Sequence, residues 1–284
     1  MLISTETESF SKLGDYKKTL TLLKDSGFTA YDFSMLLCDK LSEDFMLCDE
    51  YKEKAQNLRE YADSIGLICN QTHAPFASAI KGDEKWNKQI HPKIVRAIEV
   101  SGILGAKICV IHPCNDYTPE ENQALYQSFE PHARKAGVKI ALENMWNWHD
   151  TDNHATPAAC SDPKDFLACL SLLPSDVFVA CLDIGHAEMA GLDTNSVQMI
   201  EALGDRLQAL HIHDNDLHYD FHALPFTHKV DFEAIVAALK KIGYQGDITL
   251  ECQGFAKCVP AELMPAAARY MADVCNWFKD RLEK

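Results

Sequence analysis

The chain has 284 residues, 47% of them apolar, enough to bury the core of one α/β barrel or of two ordinary domains. Its formal charge of −15 argues against a polyanionic partner, because a phosphate backbone is held by clustered lysine and arginine. Eleven cysteines, odd in number, scattered and without a C-x-x-C pair, argue against a disulfide framework or a thiolate zinc site and read as free buried thiols.

Met1-Leu2-Ile3-Ser4 runs directly into an apolar segment with no basic leader, and no run of 18 apolar residues follows anywhere, so a cytoplasmic chain without a membrane span is expected. Strand-like runs fall at residues 2–5, 29–33, 67–73, 107–112, 138–143, 177–183, 207–213 and 247–251. Amphipathic helical stretches lie between them, among them 51–65, 87–104, 162–172, 232–242 and 261–282. Gly27, Gly66, Gly105, Gly137 and Gly243 stand where a helix stops just before the next strand. Eight strand–helix units in 284 residues match a (β/α)8 TIM barrel, which typically takes ~250 residues. With no Gly/Ser/Pro-rich linker, residues 1–284 read as a single domain. A doubly wound open sheet would want a glycine-rich turn after its first strand, and Glu6-Thr7-Glu8-Ser9 offers none.

Ten of the twelve histidines fall near strand-to-loop junctions; only His91 and His132 sit in helical stretches. In a barrel, that carboxyl end of the strands builds the active site. Strand alternation puts Ala141 and Glu143 on one face against Ile140 and Leu142 on the other, and it does the same for Cys181/Asp183 and Thr249/Glu251. Glu143, Asp183, His213 and Glu251 end four strands at spacings of 40, 30 and 38 residues. Burying three such acids costs several kcal/mol each, on the order given for unpaired ions, unless a cation neutralises them. A divalent metal at these four residues is therefore expected. Since residues two apart share a face, His213 is assigned to the metal as nearer the strand end, and His211 to a deeper layer.

His186, three residues beyond Asp183, is expected as a further ligand or a donor to substrate. His73 and His112 end adjacent strands, and Asp220 and His222 lie in the loop after the seventh; they are candidates for substrate binding or additional metal. Phe76, Trp146, Trp148, Phe221, Phe226 and Phe255 would supply an apolar wall. There is no G-x-S-x-G and no glycine-rich phosphate loop. None of the six arginines falls in a loop at this face.

These motifs run in order through the chain: Thr72-His73-Ala74-Pro75, Ile111-His112-Pro113, Leu142-Glu143-Asn144, Leu182-Asp183-Ile184-Gly185-His186, His211-Ile212-His213-Asp214-Asn215-Asp216, His222-Ala223-Leu224-Pro225 and Leu250-Glu251. In them the chain resembles the xylose isomerase-like TIM-barrel superfamily, in particular its sugar (phosphate) isomerase/epimerase branch. By that resemblance Glu143, Asp183, His213 and Glu251 match the ligands of one divalent metal, manganese or zinc first, cobalt or magnesium next. Glu143 and Glu251 would double as the acid–base pair, and His186 matches a residue that binds substrate oxygens. Endonuclease IV, a trinuclear zinc enzyme of the same superfamily, has additional ligands that correspond to His73, His112, His186, Asp220 and His222. Residues 39–50, by contrast, are acidic, which suits DNA poorly. Ketose 3-epimerases carry an arginine shortly after the seventh-strand histidine, and residues 214–230 hold none.

The resemblance implies a metal-dependent isomerase or epimerase of a small sugar or keto-polyol. The alternatives are an inosose-type dehydratase, a multinuclear zinc phosphodiesterase and a non-catalytic sugar-binding barrel. The expected partner is a small carbohydrate, with no nucleic acid or membrane and with self-association left open.

Overall fold

In the computed structural model, residues 1–36 and 48–284 are described, so most of the acidic run at 39–50 lies outside them. The strands are β1 (Ile3–Thr5), β2 (Ala30–Ser34), β3 (Ile68–His73), β4 (Ile108–Ile111), β5 (Lys139–Glu143), β6 (Trp146–His149), β7 (His154–Pro157), β8 (Phe178–Asp183), β9 (Leu207–His211) and β10 (Ile248–Leu250). The helices are α1 (Tyr16–Asp25), α2 (Tyr51–Ser64), α3 (Glu84–Leu104), α4 (Pro119–Ala136), α5 (Pro163–Ser171), α6 (Ile184–Ala187), α7 (Ser196–Leu203), α8 (Phe232–Ile242), α9 (Gln253–Ala256) and α10 (Met264–Leu282).

Strands β2, β3, β4, β5, β8 and β9 pair in that order, all parallel, and β1 pairs with β10. Parallel bridges Glu6–Asp32 and Ile212–Leu250 close the ring on either side of the β1–β10 pair. This is the expected (β/α)8 barrel, with its eight strands where the apolar runs place them.

Alternation sorts the side chains into two layers. Val110, Ala141, Val179, Cys181 and Ala209 fill the narrow barrel interior, where only small side chains fit. Ile140, Leu142, Leu182 and Leu210 point outward and join the large core under the helices. Burying one such Leu or Ile is worth ~1.5–3 kcal/mol, so this layer fixes the phase of every strand and with it the residue that ends each strand facing inward.

Helix ends follow their sequence signals. Thr118 and Glu121 form a capping box with Pro119 in the first turn of α4, and Gly137 ends that helix at φ 69°. The expected helix over 261–282 begins instead at Met264, after a 3-10 turn at Ala261–Leu263. The β6–β7 hairpin after β5 was not anticipated. Trp146 pairs with Pro157 and Trp148 with Ala155, extending an antiparallel flap from the carboxyl end of β5. Among the described residues, no helix is long and apolar enough to cross a membrane.

Candidate active site

Glu143 and Asp183 are delivered by the inward phase of their strands. Glu143 lies two residues beyond Ala141 on β5, and Asp183 two beyond Cys181 on β8. The register pairs Asp183 with His211, so the acid and the imidazole sit level on neighbouring strands. Water is nearly absent, with Glu143 1% exposed, Asp183, His211 and His213 0%, and Glu251 6%.

Three clusters share this basin. In the first, His211 Nδ1 lies 3.1 Å from Glu143 Oε1 and 3.1 Å from Glu251 Oε2. In the second, the other Glu143 oxygen lies 3.0 Å from His112 Nε2 and 3.4 Å from His73 Nε2. The third joins His186, His213, Asp220 and His222. There His213 Nε2 is 2.9 Å from Asp183 Oδ1 and 3.5 Å from Asp220 Oδ1, while Asp220 Oδ2 is 3.3 Å from His186 Nε2 and 3.1 Å from His222 Nε2.

The ring orientations carry the chemistry. Backbone carbonyls of Ala74, Asn144 and Glu251 lie 3.0, 2.9 and 2.9 Å from Nδ1 of His73, His186 and His222. A carbonyl can only accept, so each Nδ1 carries the hydrogen and each neutral ring turns its Nε2 lone pair inward. Lone pairs aimed at carboxylate oxygens repel unless a cation or a proton lies between them. Asp183 Oδ2, His213 Nε2 and Asp220 Oδ1 are buried without a hydrogen-bond partner. This oxygen and nitrogen donor set, with backbone groups fixing the outer ring nitrogens, fits a divalent metal.

Protons play the cation's part in the bare chain. Burial opposes charge on His186, yet Asp183 and Asp220 beside it raise its pKa well above the imidazole range. His222 is pushed up to about 10, burial being outweighed by the Asp220 charge. Burial likewise opposes ionisation of Glu143 and Asp220, and neighbouring histidines hold both well below the usual carboxylate range. A raised histidine contributes stability in full below its unfolded value near 6.5, and that stability is lost as pH climbs through the folded value. The metal-free chain is therefore expected to lose thermal stability between pH 6.5 and about 10, a window set by His222. The metal-loaded chain, which needs neutral imidazoles, is expected to hold its stability there. Melting curves with and without a chelator across that window check this; parallel curves would contradict it.

Local sequence explains the remaining geometry. Asn144 donates to the Asp183 carbonyl at 2.9 Å and accepts from the Asp183 N–H at 2.7 Å, tying β5 to β8. The Asp183 carboxylate accepts the His186 N–H at 2.7 Å and so caps α6. Gly185 lies under the His213 ring, and a Cβ there would overlap it. Gly185→Ala is expected to displace His213 and weaken the third cluster, lowering the melting temperature and the affinity for added zinc. Unchanged zinc titration would contradict this.

The two β9 histidines divide the basin between them. His211, the deeper of the two, stands between Glu143 and Glu251, where the strand ends in register with Asp183. His213 lies beyond the strand and faces Asp183 and Asp220. The expected site residues Glu143, Asp183, Glu251, His73, His112, His186, Asp220 and His222 all meet in this basin. Asp32 was missed. It is fully buried on β2, 3.5 Å from His211 Nε2, with Gln71 Nε2 donating to it at 2.9 Å. Its inward phase on a strand was the signal, but it lies below the strand end. Phe76 packs edge-on against His112 as expected, whereas Phe226 turns away onto Phe232, Trp277 and Phe278.

Comparison with known proteins agrees with this architecture. An L-ribulose 3-epimerase from Methylomonas sp. (strain DH-1) is 28% identical over 228 residues, 78% of this chain and 73% of that protein. A D-tagatose 3-epimerase-like protein shares the fold with a TM-score of 0.77 at 22% identity, over 100% of this chain and 98% of that one. An IolI protein with a bound zinc atom shares it at 0.69 and 19% identity, again over 100% and 98%. Residues 20–280 match the family model described as xylose isomerase-like TIM barrel, and the chain belongs to that family.

Proposed function

We propose that the chain is a divalent-metal-dependent epimerase or isomerase of a small sugar or keto-polyol. One observation carries this: two buried glutamates, on β5 and just after β10, flank a single imidazole at 3.1 Å each. The residues suited to hold the cation are Glu143, Asp183, His213 and Glu251, with His213 Nε2 2.9 Å from Asp183 Oδ1 and left without a hydrogen-bond partner. Bound there, the cation would polarise a carbonyl and adjacent hydroxyl of the substrate and so acidify the neighbouring C–H. One glutamate removes that proton and the other returns one, on the opposite face for epimerisation or at the adjacent carbon for isomerisation. His186 would hydrogen-bond a substrate oxygen, and the glutamate that returns a proton would deliver one drawn from solvent between turnovers. A similar L-ribulose 3-epimerase, and solved neighbours that include sugar 3-epimerases and a zinc-bound IolI protein, support the assignment. The test is incubation of the manganese-loaded chain with D-fructose, D-tagatose, L-ribulose and an inosose, with products separated by chromatography. Interconversion at a single centre is expected. Loss of water from the inosose alone would move the assignment to a dehydratase, and inertness towards all four would contradict the proposal.

The second and third clusters favour one other reading, hydrolysis of a phosphodiester on a multinuclear zinc site. Charge separates the two. With a net −15 and no arginine in the described loops at this end of the barrel, few groups could displace counterions. No binding to duplex or abasic DNA tighter than about 1 μM is expected at physiological salt. Tighter binding that weakens steeply with added salt, together with two or three zinc ions per chain, would favour the hydrolase.

A further inference from the structure

The hairpin after β5 turns at His149-Asp150-Thr151-Asp152-Asn153-His154, a run with two acids and no lysine or arginine. Asn153 takes the left-handed conformation, φ 53°, and its N–H closes the turn onto the His149 carbonyl at 2.7 Å. Antiparallel pairing then sets His149 directly opposite His154. Both rings and the Asp152 carboxylate reach solvent, the side chains of His149, His154 and Asp152 being 51%, 41% and 62% exposed.

Backbone groups fix which ring nitrogens carry lone pairs. The Asp152 N–H donates to His149 Nδ1 at 3.2 Å, so that nitrogen carries no hydrogen. The Ala155 carbonyl lies 2.6 Å from His154 Nδ1, so the hydrogen is there and the lone pair is on Nε2. Gly191 packs against this contact, since a Cβ there would overlap the Ala155 oxygen and crowd His154 Nδ1. Asp152 Oδ2 lies 3.2 Å from His149 Nδ1 and 4.0 Å from His154 Nε2. Three acceptor atoms therefore meet around one backbone N–H, and a cation offers what the N–H alone cannot, a partner for all three. Donors ~2 Å from a tetrahedral zinc stand about 3.3 Å apart, so the first distance already fits and the second has to close by about 0.7 Å, within reach of exposed side chains. None of these residues belongs to the three clusters of the basin.

We propose that the tip of the β6–β7 flap is a metal site of its own, taking one zinc-class cation on His149 Nδ1, His154 Nε2 and Asp152 Oδ2 with water in the fourth position. Two imidazoles select zinc, copper or nickel over manganese and magnesium, which prefer oxygen. The cation ties the two strands of the flap together across its turn.

Equilibrium dialysis of the full chain against zinc, followed by metal analysis, tests this. An exposed three-donor site is weaker than a closed four-ligand one, so a dissociation constant on the order of 1 μM is expected. At ~10 μM free zinc the wild type is expected to carry one zinc more per chain than His154→Gln or the double variant His149→Gln/His154→Gln. Asp152→Asn is expected to raise that dissociation constant about ten-fold. All three are exposed turn residues, and circular dichroism with a melting curve verifies that the variants fold. Equal zinc content in the wild type and the double variant overturns the proposal and leaves an ordinary surface histidine–aspartate pair. Displacement of the extra zinc by ~1 mM magnesium also overturns it, since the site would then be set by charge rather than by imidazole. The readout is a difference between chains and needs no substrate, so it holds whatever number of zinc ions the basin takes and stands or falls apart from the epimerase assignment.

Discussion

Glu143→Gln and Glu251→Gln are each expected to lower turnover by ~100-fold to 10,000-fold, the range for removing a positioned general acid or base, while the barrel stays folded. Each carboxylate lies 3.1 Å from the same His211 nitrogen, so neither can stand in for the other on the opposite side of a substrate. Glutamine keeps the volume and one acceptor oxygen but cannot hold a proton, which separates acid–base loss from packing loss. Far-UV circular dichroism checks the fold, and initial rates on a substrate that the wild type turns over check the chemistry. If either variant kept near wild-type rates, the two-glutamate mechanism would fail.

Chelation is expected to abolish activity and lower the melting temperature together. Carboxylates from three strand ends crowd this basin, and part of the energy of binding a cation there appears as folding stability. Removing a ligand held at ~100 times its dissociation constant forfeits about 2.7 kcal/mol. For a chain this long, that corresponds to a drop of roughly 4–5 °C. The two β9 histidines provide an internal control. His213→Gln, at the ring beside Asp183, is expected to remove most of the shift on manganese addition, and His211→Gln to leave more of it. If chelation changed neither stability nor activity, the acids would not form a metal site.

The barrel was legible because its signal repeats. Aliphatic residues such as Ile140, Leu142 and Leu182 alternate with small or acidic ones, and a strand one residue out of phase would expose a whole face to the wrong layer. The same alternation turns Glu143 and Asp183 inward with Ala141 and Cys181. It did not show that His211 would stand between Glu143 and Glu251; that depends on where β9 stops, and the stop is set by pairing with β8 and β10 rather than by local sequence. Asp32 escaped because a carboxylate below a strand end reads as an ordinary strand residue until His211 is found 3.5 Å away. The β6–β7 flap escaped because its two strands span only four residues each across a polar turn, although Trp146 and Trp148 alternate and pack on Ala155, Met189 and Leu192. Phe226 was grouped with the pocket by its position in the chain, but Trp277 and Phe278 of α10 offer it a drier contact.

Exchange with solvent reports the proposed proton transfer most directly. The manganese-loaded chain would be incubated with a ketose substrate in D2O and the sugar followed by proton NMR. The account predicts that deuterium enters at the carbon beside the carbonyl in the wild type, and that both Glu143→Gln and Glu251→Gln suppress it. Product that forms without deuterium at that carbon in the wild type, or exchange that persists in both variants, would contradict it.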